Sequence, residues 1–175
     1  LLWSILLLNA SWTSGSYKDT GKELIIDLPE GKLSLIPLNQ NSVRVQFSQQ
    51  GSTRLEELIY TENVQSPKYT IKEITFRLQR LSVVFDKHKE TLTFKDPNGR
   101  VLLQEKAGGR FMESSAIQGT PTYKVEQQFL SPKDEYLYGT GQFQDGYLNI
   151  RGLSRRLTQV NTQIAIPFVL SSKGY

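Results

Sequence analysis

Breaking a bond requires side chains that take and give protons, and this chain holds few of them. Its only histidine is His88, in FDKHKET between Lys87 and Lys89, and it has no cysteine. A serine or cysteine nucleophile needs a base, normally histidine, within hydrogen-bond reach. A histidine-based triad is therefore ruled out, and His88 reads as an exposed spacer in a turn. A metal site would have to be built from carboxylates and carbonyls alone, and no loop has the alternating Asp spacing that calcium prefers. The residues thus offer no metal ligands, no cofactor and no catalytic group.

Carboxylates remain. A pair of them can hydrolyse a glycosidic bond, one as acid and the other as nucleophile or base. Asp134 with Glu135, and Asp145, are the available members. Neighbouring residues on an extended segment point to opposite faces, so surface or turn roles are expected for them. No GxxxxGK[ST] element is present, and Gly139 and Gly141 in YGTGQ lack the third glycine and helix of a dinucleotide fingerprint.

The run YGTGQFQDGYLNIRG, residues 138 to 152, holds four glycines, two tyrosines and two glutamines. Gly139 and Gly141 are expected to allow backbone conformations closed to residues with a Cβ. Gln142, Gln144 and Tyr147 are amphipathic groups of the kind that line sugar clefts, and a tyrosine ring can stack on the apolar face of a pyranose.

The elements that must position these residues read as strands. Val43, Val45 and Phe47 alternate with Arg44, Gln46 and Ser48. The same period of two recurs in Ile74, Phe76 and Leu78 and in Leu92 and Phe94. LPEG at 28 to 31 and DPNG at 96 to 99 are turns; in the second, Pro97 presets its φ and Gly99 can take the left-handed conformation of a tight hairpin. No long stretch has helical periodicity, and LEELIY at 55 to 60 is too short to decide. Short strands at regular spacing predict an all-β, antiparallel β-sandwich.

A chain of 175 residues fits one domain. The apolar block LLWSILLLNA is as long as a signal-peptide core and too short to span a membrane. Residues 1–16 therefore read as a signal peptide, 17–22 as a polar leader and 23–175 as the fold, which predicts a secreted or periplasmic protein. Export permits disulfides, but without cysteine the core must suffice. Net charge is +4 and the pI is about 9.2. The basic residues are scattered apart from Arg151, Arg155 and Arg156, too sparse a stripe for a nucleic-acid partner.

From Val125 onward the chain runs VEQQFLSPKDEYLYGTGQ, FQDGYLNIRG and LTQVNTQIAIPFVLSSKGY. This resembles the N-terminal, galactose-mutarotase-like β-sandwich domain of glycoside hydrolase family 31, the α-glucosidases and α-xylosidases. The stretch at 132 to 142, the Asn161-Thr162 segment, and IPF followed by SSKGY carry the resemblance; VRVQFS and LTFKDPNGRVLLQE extend it towards residue 23. It implies a domain that packs on a catalytic (β/α)8 barrel, lends a loop to its sugar pocket and leaves the two catalytic aspartates to the barrel. Their Trp-x-Asp-Met-Asn type motif is not in this sequence, whose tryptophans are Trp3 and Trp12. The expectation is a noncatalytic piece of a retaining, secreted α-glycosidase whose partners are that barrel and an α-linked xylose or glucose oligosaccharide. By the same resemblance Asn161, Thr162 and Gln163 reach the substrate, with Gln163 standing where an aspartate is usual. Three alternatives stay open: a free-standing carbohydrate-binding module, an interaction-only surface sandwich, and an aldose epimerase, the last lacking the histidine pair that family uses.

Overall fold

The computed structural model describes residues 15–51 and 67–175. The apolar opening block and LEELIY lie outside the described residues. Every regular element among the described residues is a strand. The chain divides into two compact units, Leu1–Leu92 and Thr93–Tyr175, where length alone predicts one domain.

In the first unit β1 (Tyr17–Asp19), β2 (Leu24–Leu28), β3 (Gly31–Asn39) and β4 (Ser42–Gln49) lie side by side in chain order, all antiparallel. Alternation fixes which face is dry. Leu24, Ile26 and Leu28 are buried, as are Leu33 and Leu35, and the register sets Leu24 opposite Leu35 and Ile26 opposite Leu33. Residues on one face of a strand recur every second position, so these five side chains form one apolar surface. Pro29 and Glu30 close the β2–β3 turn. A Cβ on Gly31 would strike the carbonyl oxygen of Ser48 on β4.

The second layer of this unit is a meander of β5 (Thr70–Lys72), β6 (Thr75–Arg77) and β7 (Ser82–Asp86). It contributes the buried side chains Ile74, Phe76, Leu78, Val83 and Phe85. Two bonds tie the layers. Tyr69 Oη donates to Asp19 Oδ1 at 2.7 Å, and the Arg80 amide donates to the Gln40 carbonyl at 2.9 Å. The Tyr69 bond, with the Gly21 amide, holds the Asp19 carboxyl below its ordinary range; burial, then Asp19, pushes the Tyr69 hydroxyl up.

Two sequence expectations are corrected here and one holds. Tyr17–Asp19, within the polar segment 17–22, is a paired strand rather than a leader: it forms a register with Leu24 to Ile26. Its side chains are exposed, so backbone bonding holds it where apolar pattern gives no sign. The alternation of Val43, Val45 and Phe47 does not yield one dry face, because β4 is the last strand of its sheet and is half-buried on both sides. His88 does lie exposed in the turn after β7, where its amide and that of Lys89 donate to Asp86 Oδ1 at 2.9 and 3.1 Å.

β8 (Thr91–Lys95) carries the chain into the second unit, where DPNG leads to β9 (Val101–Ile117). Gly99 takes a φ of 81°, and Asp96 Oδ1 accepts the amides of Asn98 and Arg100 at 2.9 Å each, as that turn requires. β9 returns as β10 (Thr120–Phe129) through Gln118 and Gly119, both left-handed, the arrangement of a two-residue hairpin. Two further strands, β11 (Leu137–Gln142) and β12 (Ile164–Ser171), pair antiparallel as a separate sheet.

Phe76 is fully buried, with its ring centroid 4.8 Å from that of Tyr69. Phe76→Ala is expected to lower unfolding free energy by about 3 to 5 kcal/mol, read as a shift of the urea midpoint at unchanged slope; a loss under about 1 kcal/mol would show that this layer is not the core.

Candidate functional site

The site is built on the β11–β12 ladder. Leu137, Tyr138 and Gly139 face Ser171, Leu170 and Val169; the register then slips, and Gly141 and Gln142 face Ala165 and Ile164. The slip takes place around Gly139 (φ 115°), Thr140 (φ 65°) and Gly141 (φ 102°). A Cβ on Gly139 would strike the carbonyl oxygen of Phe168, and one on Gly141 that of Ile164. The two glycines are required twice over, by left-handed φ and by the backbone that crosses them. Thr140 is β-branched, and such a residue at positive φ is strained.

This ladder brings together part of the sequence-predicted site. Gln142 ends β11 opposite Ile164. Asn161 and Thr162 form the tight turn that enters β12, closed by the reciprocal Val160 and Gln163 bonds at 3.4 and 3.1 Å. Gln142 and the 161–163 turn therefore sit at the same end of the ladder. Gln144 and Tyr147 lie on the loop just beyond, and Tyr147 is 61% exposed. Gln159 braces the start of β12: its Nε2 donates to the Ala165 carbonyl at 2.9 Å and its Oε1 accepts the Ala165 amide at 3.1 Å.

Residues that sequence reasoning passed over hold the loop. Asn149 Oδ1 accepts the amides of Leu137 and Arg151 at 3.0 and 3.2 Å, and the Ile150 amide donates to the Leu137 carbonyl at 2.8 Å. Arg151 reaches the hydroxyl and carbonyl of Ser131 at 3.2 and 3.1 Å. Arg155 pairs with both oxygens of Asp145 at 2.9 and 2.6 Å. The cluster Arg151, Arg155 and Arg156, which by sequence is only a local excess of charge, thus contains two side chains engaged in internal bonds. Their clustering in sequence was the available signal.

Asp134 and Asp145 take the surface and turn roles that the sequence suggests, whereas Glu135 does not, because hydroxyl donors allow it to be buried. Asp145 is in the Arg155 pair and also accepts the Tyr147 amide at 3.2 Å. Asp134 meets Lys173 at 3.2 Å, and that bond holds its carboxyl below the ordinary range. Glu135 is 1% exposed, and hydroxyls hold it: Ser171 Oγ and Tyr175 Oη each donate to Oε1 at 2.5 Å. The Ser171 amide donates to the Tyr175 carbonyl at 2.7 Å, so the turn 171–175 is tied to the segment before β11. Burial, then the bond to Glu135, pushes the Tyr175 hydroxyl up to about 12. Among the described residues no group of three His, Cys, Asp or Glu side chains could hold a metal, and no helix is long and apolar enough to cross a membrane.

Gly141→Ala is expected to cost more than about 2 kcal/mol, the sum of left-handed strain and a backbone collision, measured as a fall in the denaturation midpoint; an unchanged midpoint would contradict the crossing. Tyr175 supplies a pH dependence. Its folded pKa lies above the ordinary value of about 10, so the folded state favours the neutral phenol. The associated stability is complete below pH 10 and fades as pH rises towards 12. Tyrosinate absorbance should show two delayed phases, from Tyr69 and Tyr175, and Glu135→Gln should bring one of them closer to 10; if neither moves, the Tyr175 assignment fails.

No protein-family model matches the chain. In sequence it is 29% identical over 167 residues to an uncharacterised family 31 glucosidase of Pseudescherichia vulneris, covering 82% of the chain and 31% of that protein. An α-xylosidase of Saccharolobus solfataricus is 38% identical over 112 residues, 58% of the chain and 15% of the relative. The chain thus spans under a third of the length of either. A family 31 α-xylosidase from a soil metagenome, solved with xylose, superposes with a TM-score of 0.75 at 26% identity, over 91% of the chain and 27% of the enzyme. The α-xylosidase of Xanthomonas citri matches in fold, with a TM-score of 0.74 at 24% identity, over 89% of the chain and 18% of the enzyme. In sequence and in fold this all-β, antiparallel chain is thus similar to a part of family 31 glycosidases.

Proposed function

We propose that the chain is a noncatalytic part of a longer, exported α-glycosidase of the α-xylosidase or α-glucosidase kind. It supports the catalytic barrel and contributes Gln142, Gln144, Tyr147, Asn161, Thr162 and Gln163 to the rim of the sugar pocket. One observation carries this. On β12, Ile164, Ile166, Phe168 and Leu170 are alternate residues and so share a face, and each is about half exposed, Phe168 to 62%. A contiguous apolar strand face on a folded unit marks an interaction surface. The relatives are more than three times as long as the part that this chain matches, and the remainder of such an enzyme is the occupant of that face. The substrate class, α-linked xylose or glucose, rests on the names of those relatives, and export rests on the apolar block at residues 1–10.

The test is complementation. Mixed with the catalytic barrel of a family 31 α-xylosidase made without its own β-sandwich, the chain is expected to bind at about micromolar Kd and to raise turnover of a chromogenic α-xyloside. Ile166→Asp with Phe168→Asp should abolish both effects. Alone, the chain should show no turnover and no calorimetric heat with xylose oligosaccharides; strong binding there would make it a free-standing carbohydrate-binding module, and turnover an enzyme in its own right.

A further inference from the structure

We infer that Arg155 is a positioning residue for sugar recognition: its guanidinium fastens the turn 143–147 to the end of β11 and so sets where Gln144 and Tyr147 are presented. The sugar contact itself rests on the function proposed above. Arg155 lies ten residues after Asp145 and fifteen after Thr140, and its side chain is only 10% exposed. One nitrogen, Nη2, donates to both Asp145 oxygens at 2.9 and 2.6 Å; Nη1 donates to Thr140 Oγ1 at 3.1 Å. The guanidinium carbon lies over the Phe143 ring, 4.4 Å from its centroid.

These contacts converge on one segment. Phe143 and Asp145 flank Gln144, and Asp145 passes the constraint on by accepting the Tyr147 amide at 3.2 Å. Thr140 sits in the strained position between the two crossing glycines, and its hydroxyl also donates to the Gly139 carbonyl at 2.7 Å. Arg155 therefore links the rigid ladder to the exposed loop through a charged pair, a ring face and a hydroxyl at once. Only a planar fork can do all three. Its Nε is buried without a partner, an unfavourable state that the fold tolerates while the other nitrogens are engaged. Geometry that precise matters where a bound group must be met at fixed distance; a loop that merely connected strands would have no need of it.

The experiment compares the full chain with Arg155→Ala and Arg155→Lys. By amide hydrogen exchange, Arg155→Ala should speed exchange at Tyr147 by about tenfold or more while β3 amides stay protected. Arg155→Lys should recover part of that protection, since lysine keeps the charge but loses the fork. In the complemented α-xylosidase, Arg155→Ala should raise KM for the xyloside about tenfold with kcat within twofold, and Arg155→Lys should fall between. Unchanged exchange at Tyr147 overturns the inference. So does loosened exchange with KM unchanged in a working complemented enzyme, because the loop would then be ordered without serving the sugar. If the exchange result holds but no complemented enzyme forms, the fastening by Arg155 stands and the proposed function fails.

Discussion

The close crossing of β11 and β12 is the constraint on which the second unit depends. Two backbones approach so nearly at Gly139 and Gly141 that neither position has room for a Cβ. The intervening residue is thereby forced into left-handed φ, and it happens to be a threonine, whose hydroxyl becomes an anchor for Arg155. From that point the loop 143–147 is held at one side, while Asn149 and Arg151 tie its far end to the segment before β11. Shift the crossing and each of these fastenings loses its partner.

The two units are organised by different forces. Among the described residues the buried apolar side chains, from Leu24 to Leu92, all belong to the first unit. Apolar burial is non-directional and scales with area, so it stabilises a scaffold without dictating the angle of any one group. In the second unit the buried groups include Glu105, Glu135 and Ser171, which are polar and must be hydrogen-bonded to be tolerated. Glu105 meets Arg110 at 2.7 Å beside the β9 bulge, and Glu135 takes its hydroxyl donors at the chain's last turn. Directional bonds of this kind fix geometry rather than merely adding stability.

Much of the architecture was legible because strand pattern and turn chemistry are local. The alternation in Ile74, Phe76 and Leu78 and the DPNG turn read off the sequence directly, and Gly139 and Gly141 announced their backbone duty by type. The failures have physical causes. β1 is polar, and its pairing comes from backbone groups that every residue carries. The Gln118-Gly119 hairpin was overlooked because glutamine is an unusual occupant of a left-handed turn position. The division into two units follows from long-range pairing that no window of sequence displays. At the candidate site the bonds of Arg155 were not legible: its partners lie ten and fifteen residues away, and an arginine among arginines looks like surface charge until its contacts are seen.

The fate of the acids bears on the function proposed above. A glycosidic bond needs two carboxyl groups free to face one sugar, about 5 to 10 Å apart. Asp145 is engaged by Arg155, Asp134 by Lys173, and Glu135 is sealed beneath Ser171 and Tyr175. Asp145 and Glu135 help to hold their segments in place, while the exposed pair of Asp134 with Lys173 adds little. What the unit presents outward is instead amide, hydroxyl and ring on a stiffened loop, together with an uncovered apolar strand. Groups of that kind bind by hydrogen bonding and stacking rather than by proton transfer, in keeping with the supporting role proposed above.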